Sequence, residues 1–212
     1  MAMKYHFFKH LATINRHRFL VFKNCLYSGI PRRGLVHDLS KYSGAEFWPS
    51  AKYFKGNESP VFTQRLNEGM YSTIVQHHIH RNAHHFEFWI NEFKGDLIVI
   101  KMPYKYAVEY VCDTIGASQT YLRINSTLDA PLDYFNKRSG FYLMHPMIKE
   151  FVKAVLTNYK EKGLKGLSKK FTKPLYYSLN KKYEDTYLVP LYSTNKEIKY
   201  VSLKDKTKIE KY

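Results

Sequence analysis

The stretch PYKYAVEYVCDTIGASQTYL, residues 103–122, limits most sharply what this chain can become. It reads as a long helix starting near Pro103, because proline is tolerated in the first helical turn. Tyr106, Tyr110, Asp113 and Ala117 fall on one face of it. Asp113 therefore sits in an otherwise apolar helix. A carboxylate in such a place requires a partner: a metal ion, an N–H group or an arginine. Glu109, one turn earlier, is placed to support that partner.

The rest of the chain is also mostly helical in pattern. Phe7, Leu11, Ile14, Phe19, Val21, Phe22 and Leu26 predict a helix over 4–28, ended by SGIP. A second helix is expected through RGLVHDLSKY, and another over 61–80 with Phe62, Leu66, Met70, Ile74 and Val75 as apolar positions. GNESP at 56–60 is a loop. FKGDLIVIKMP holds a short strand or a buried turn. HPMIKEFVKAVLTNYKEKG is a last helix, with Pro146 near its start and Gly163 after its end. Beyond it the composition turns basic and is broken by Gly and Pro, and TYLVPLYSTNKEIKYVSL reads as two short strands around a polar turn. The expectation is a mainly α protein: a helical metal-binding domain over 1–162 and a small basic appendage over 163–212 containing a β-hairpin.

The formal charge is +16, from 34 basic and 18 acidic residues. Such an excess favours a polyanionic partner, whether nucleic acid, nucleotide or an acidic surface. From Lys160 onward there are 14 lysines, 6 acidic residues and no arginine, a composition suited to diffuse attraction rather than bidentate reading of bases. No apolar run reaches the roughly 20 residues of a membrane span, and the N-terminus lacks the pattern of a signal peptide. Cys25 and Cys112 lie in apolar settings and read as buried free thiols in a reducing, cytoplasmic compartment.

Chemistry concentrates in the histidines. Five of the ten, His77, His78, His80, His84 and His85, fall within QHHIHRNAHHFEFW. Neutral imidazole is the commonest protein metal ligand. On a continuous helix His77 would share a face with His84, and His78 with His85; if RNA breaks the helix, the pairs converge across a turn. A solvated helix end is the other reading of this tract. Upstream, GLVHDLSKYSGAEF sets His37 and Asp38 behind an apolar lead-in, with Lys41 one helical turn on. Alone, Asp38 and Lys41 would read as a surface ion pair. With the histidine supply elsewhere, they read as a bridging carboxylate and a phosphate-binding cation.

The order of an early histidine, a His-Asp doublet, histidine pairs and a late aspartate resembles the HD-domain superfamily of metal-dependent phosphohydrolases, over roughly residues 10–120. The resemblance makes His37-Asp38 the doublet and Asp113 the late aspartate. HRFLV is similar to the superfamily's H-x-x-x-V start and selects His17 as the early histidine, with His10 as the alternative. HDLSK differs from the HDxGK of the branch that cleaves cyclic dinucleotides by Ser40 in place of glycine, and in HHFEFW Glu87 is displaced by one residue. Four segments together (HRFLVFKNCLYSGI, GLVHDLSKYSGAEFW, HHIHRNAHHFEFW and PYKYAVEYVCDTIGA) also resemble a family of bacterial and phage proteins with no assigned activity, over about residues 5–157.

These readings imply an HD-like helical bundle holding one or two divalent transition-metal ions (Fe, Mn, Co, Ni or Zn). The ligands would come from His17, His37, Asp38, His77, His78, His84, His85 and Asp113. Asp38, Lys41 and Arg81 would act on a phosphorylated small molecule, for which a nucleotide is the expected substrate. The alternatives are a phage-type sponge or interaction protein that binds a nucleotide without cleaving it, and a nucleic-acid-binding module using the basic surface.

Overall fold

The structure, a computed structural model, describes residues 6–69, 71–192 and 198–202, with residues 191–192 described for their backbone alone. The protein is mainly helical, with a small antiparallel sheet. The N-terminal helix α1 (Phe7–Tyr27) lies against the apolar helix α6 (Tyr104–Leu122). Val21 and Cys25 of α1 share one core with Val108, Val111, Cys112 and Ile115 of α6 and with Met147, Ile148, Phe151 and Val155 of α8 (Pro146–Lys162). Helix α7 (Ala130–Ser139) adds Leu132 and Phe135 to the same core. Both cysteines are buried and free.

Gly116 sets the closeness of α1 and α6. A Cβ there would lie 2.6 Å from Val21 Cγ2, a stiff β-branched side chain with no exposed surface. Gly116→Ala gains about 1 kcal/mol of helix propensity but overpacks the crossing by about 1–3 kcal/mol. The expected result in urea unfolding is a net loss of about 1 kcal/mol, and a stability equal to the parent would contradict the packing described. Gly34 acts similarly for the short helix α2 (Pro31–Val36), since a Cβ there would lie 2.8 Å from Cys25 Cβ and 2.9 Å from Phe22 Cα.

The segment expected as one helix over 33–42 is broken. Helix α2 stops at Val36, His37 is extended, and Asp38 takes the left-handed conformation, φ 52°. A 3-10 turn, Leu39–Tyr42, follows. Arg18 on α1 holds this break by donating to the carbonyls of Leu35 and His37, each at 2.8 Å, and to the Tyr42 hydroxyl. The helix expected over 61–80 is likewise two: α4 (Pro60–Asn67) and α5 (Thr73–Arg81). Gly69, at φ 70°, lies between them, and the Ser72 hydroxyl caps α5 by accepting from Val75 N–H. Met70 lies outside the described residues. Between the doublet and GNESP runs α3 (Gly44–Lys52), which packs on α5.

Strands β1 (Ile90–Phe93) and β2 (Asp96–Ile100) form a hairpin whose two loop residues, Lys94 and Gly95, both have positive φ, as a twisted two-residue turn requires. Strands β3 (Tyr187–Tyr192) and β4 (Ile198–Ser202) form the expected second hairpin; its turn lies outside the described residues. The sheet order is β1-β2-β3-β4, with Val99 opposite Leu188. Helix α9 (Lys169–Lys182) precedes β3. The segment after 162 is thus tied to the helical part twice, by the β2–β3 ladder and by Leu167, Tyr176 and Leu179 in the main core. Lys101 adds a third link, its buried ammonium donating to Asn180 Oδ1, to the Tyr183 carbonyl and to the Glu184 carbonyl. No helix of the described residues is long and apolar enough to cross a membrane.

Candidate metal centre

Four elements converge beside the α1–α6 contact. Helix α1 brings His17, the break after α2 brings His37 and Asp38, α6 brings Asp113, and the end of α5 with the turn beyond it brings His78, His84 and His85. The turn at Asn82, not a continuous helix, makes this convergence. Asn82 donates to the His78 carbonyl and to Ser40 Oγ, both at 2.8 Å. Ser40, where the resembling branch has glycine, therefore anchors the turn after the doublet to the end of α5.

Among the described residues the ligand atoms fall into three groups, two of which share Asp38, the third being His37, His84 and Glu109. In the first, His17 Nε2 lies 3.0 Å from Asp113 Oδ1 and 3.6 Å from Asp38 Oδ2, and His37 Nε2 lies 3.2 Å from Asp38 Oδ2 and 3.4 Å from His17 Nε2. In the second, Asp38 Oδ1 faces His78 Nε2 at 3.3 Å and His84 Nε2 at 3.5 Å, with His85 alongside. Ligands about 2.1 Å from one ion lie about 3.0 Å apart at octahedral angles and about 3.4 Å apart at tetrahedral ones. The distances of 3.0–3.6 Å in the first set, and of 3.3 and 3.5 Å from Asp38 to His78 and His84 in the second, are close to that spacing.

The donor chemistry fits a cation as well. Asp38 Oδ1, His84 Nε2 and His85 Nε2 are buried and make no hydrogen bond among the described residues. Such orphaned atoms cost about 1–3 kcal/mol each, and a bound ion would supply the missing partner. Asp38, Asp113, Glu46 and Glu109 bring four negative charges to the cluster, against one each from Lys41 and Arg33. With neutral imidazoles the balance is −2, a net negative charge that favours bound cations.

Two buried glutamates hold the imidazoles in a ligating orientation. Glu109 Oε1 accepts from His37 Nδ1 at 3.1 Å and faces His84 Nδ1 at 3.4 Å, while Arg33 Nε donates to its Oε2 at 2.6 Å. Glu46 on α3 accepts from His77 Nδ1 at 2.6 Å and His78 Nδ1 at 2.8 Å. Fixing Nδ1 in this way leaves Nε2 of His37 and His78 for a metal, while His84 Nδ1 faces Glu109 without a hydrogen bond. Glu109 was readable from its place one turn before Asp113. Glu46 was not, because nothing in GAEF links it to the histidine tract, and Arg18 and Arg33 carried no distinguishing signal.

The electrostatics follow this layout. Burial would push the Asp38 carboxyl up, but His37, Lys41 and His78 hold it well below the usual carboxylate range. Asp113 is likewise low, because contacts with His17 and His37 outweigh burial. Burial opposes the His37 imidazolium, yet Asp38, Asp113 and Glu109 hold its pKa well above the ordinary value. His84 is lowered by burial and by His37, and His85 falls further through burial, His84 and His78, so both are kept in the neutral form that binds metals.

The remaining expected residues lie elsewhere or at the edge. His77 is spent on Glu46 and belongs to neither donor set. His10 sits between the Phe47 and Phe54 rings, 5.3 and 5.2 Å away, and is outside the cluster, so His17 is the early histidine that reaches it. Lys41 Nζ lies 2.6 Å from Asp38 Oδ2 with its side chain 31% exposed, at the rim of the centre. The bond comes from the 3-10 turn rather than from the expected helix. Arg81 is exposed at the end of α5 and makes no ion pair among the described residues.

Fold and site together define a helical protein with a buried carboxylate-bridged histidine cluster able to hold metal. The chain belongs to a family of unknown function (DUF5662), whose model matches residues 6–158. That span includes every residue of the cluster and ends close to the boundary expected at 162. No curated protein and no solved structure matched the chain.

Proposed function

We propose that the protein is an HD-like metal-dependent phosphohydrolase acting on a nucleotide or another small phosphoester. The observation that carries this reading is that the two oxygens of Asp38 face two separate imidazole sets. A pair of divalent transition-metal ions bound there would polarise a phosphoryl oxygen and acidify a water. His17, His37 and Asp113 would hold one ion, His78, His84 and His85 the other, and Asp38 both. Glu109 and Glu46 keep the imidazoles aimed. Lys41, whose one ion pair among the described residues is with Asp38 and which is partly exposed, is placed to take a phosphate oxygen and offset developing charge. Arg81, on the helix that carries His78, is the second cation available for that role. Two buried thiols with no disulfide fit a reducing cytoplasm.

The test is a panel of nucleotides and phosphoesters assayed after reconstitution with Mn, Fe, Co, Ni or Zn. Phosphate release that Lys41→Ala lowers by about 10²-fold or more, with metal content unchanged, is the expected result. Metal-loaded protein that binds a nucleotide without turnover would replace hydrolysis with the sponge reading.

A further inference from the structure

The first turn of α9 carries Lys169 and Lys170, with Lys173 one turn on and no acidic residue, although the positive end of a helix dipole disfavours cations there. None of these three lysines makes an ion pair among the described residues. With Pro174 and Tyr177 they line a shallow surface groove. Tyr177 is 50% exposed and its ring lies parallel to that of Tyr104 on α6, 6.5 Å away and inclined 24°.

Further cation–ring pairs lie at the start of α6. Lys105 Nζ lies 4.8 Å from the Tyr106 ring centroid, and Arg33 Cζ lies 4.8 Å from the same ring. Lys169 rests its methylenes on Gly29, at the turn into α2, whose next residues include the exposed Arg32. Cations and tyrosine rings thus lie side by side at the first turns of α9 and at the start of α6, and Lys169 adjoins the turn into α2. Unpaired lysines beside ordered ring faces suit a flexible anionic chain with flat groups, because the backbone meets ammonium charges while an unpaired base stacks on tyrosine. We infer that this α9–α6–α2 face binds single-stranded nucleic acid.

The inference stands on surface charge and ring contacts and does not depend on the hydrolase reading. Its test is fluorescence anisotropy of the full chain with a labelled oligothymidylate of about 16 nucleotides, titrated with salt. Phosphatidylserine vesicles serve as the competing polyanion. The variant Lys169→Glu/Lys170→Glu/Lys173→Glu places carboxylates where the helix dipole favours them, so its fold is retained, and circular dichroism and metal content should match the parent. It should bind about tenfold or more weakly, with a salt slope shallower by about 2. Tyr177→Ala should weaken oligonucleotide binding about fivefold or more while leaving the salt slope unchanged. A triple variant that binds like the parent overturns the inference. So does equal affinity for oligonucleotide and vesicles with no effect of Tyr177→Ala.

Discussion

Asp38→Asn is expected to empty both donor sets at once. Asparagine keeps the shape of the side chain and tolerates the left-handed backbone at φ 52°, whereas alanine adds strain there. The substitution therefore isolates the charge. Asp38 belongs to both donor sets, its Oδ2 facing His17 and His37 and its Oδ1 facing His78 and His84, so its loss should exceed the about 10–100-fold fall in metal affinity that removing an outer partner causes. Metal retained after dialysis should drop to near zero in Asp38→Asn, while His77→Gln, outside both sets, should keep most of it. Full metal content in Asp38→Asn would remove Asp38 from the centre.

Glu109→Gln should damage stability and metal binding together. Glu109 has no exposed surface and is held by Arg33 and His37, with His84 beside it. Burial alone would raise its pKa, but the contacts with His37, His84 and Arg33 lower it from 4.5 to about 2. That depression corresponds to about 3 kcal/mol of stability, in line with the about 3–5 kcal/mol cost of breaking a buried ion pair. Since the folded-state pKa lies below the unfolded one, this stability is present above pH 4.5 and is lost as pH falls toward 2. Denaturant unfolding at pH 7 should show Glu109→Gln less stable by about 3 kcal/mol, and the gap should narrow in acid. Metal titration should show about a 10–100-fold loss of affinity. A variant equal to the parent in both measurements would mean that Glu109 does not organise the imidazoles.

The helices with strong apolar periodicity and clear ends were readable from sequence: α1, α6 and α8 lie within one to three residues of the expected spans. The breaks were harder, because they depend on long-range contacts. RGLVHDLSKY has no glycine or proline inside the doublet, and its helix ends because Arg18, from another element, takes the carbonyls of Leu35 and His37. For the site, the residue types named the ligands and the structure sorted them. His77 and His78 are adjacent and equivalent by pattern, yet only His78 aims Nε2 at Asp38. The basic composition after residue 162 suggested separation, whereas Leu167, Tyr176 and Leu179 join it to the main core, because apolar positions interleaved with lysine do not stand out in a composition count.

Counting metal ions in the purified full chain tests the central claim most directly. Elemental analysis after reconstitution with Mn, Fe or Zn should find about two ions per chain in the parent and near none in Asp38→Asn. A parent that binds no ion from this series, or a variant that binds as many as the parent, would contradict the shared-carboxylate centre.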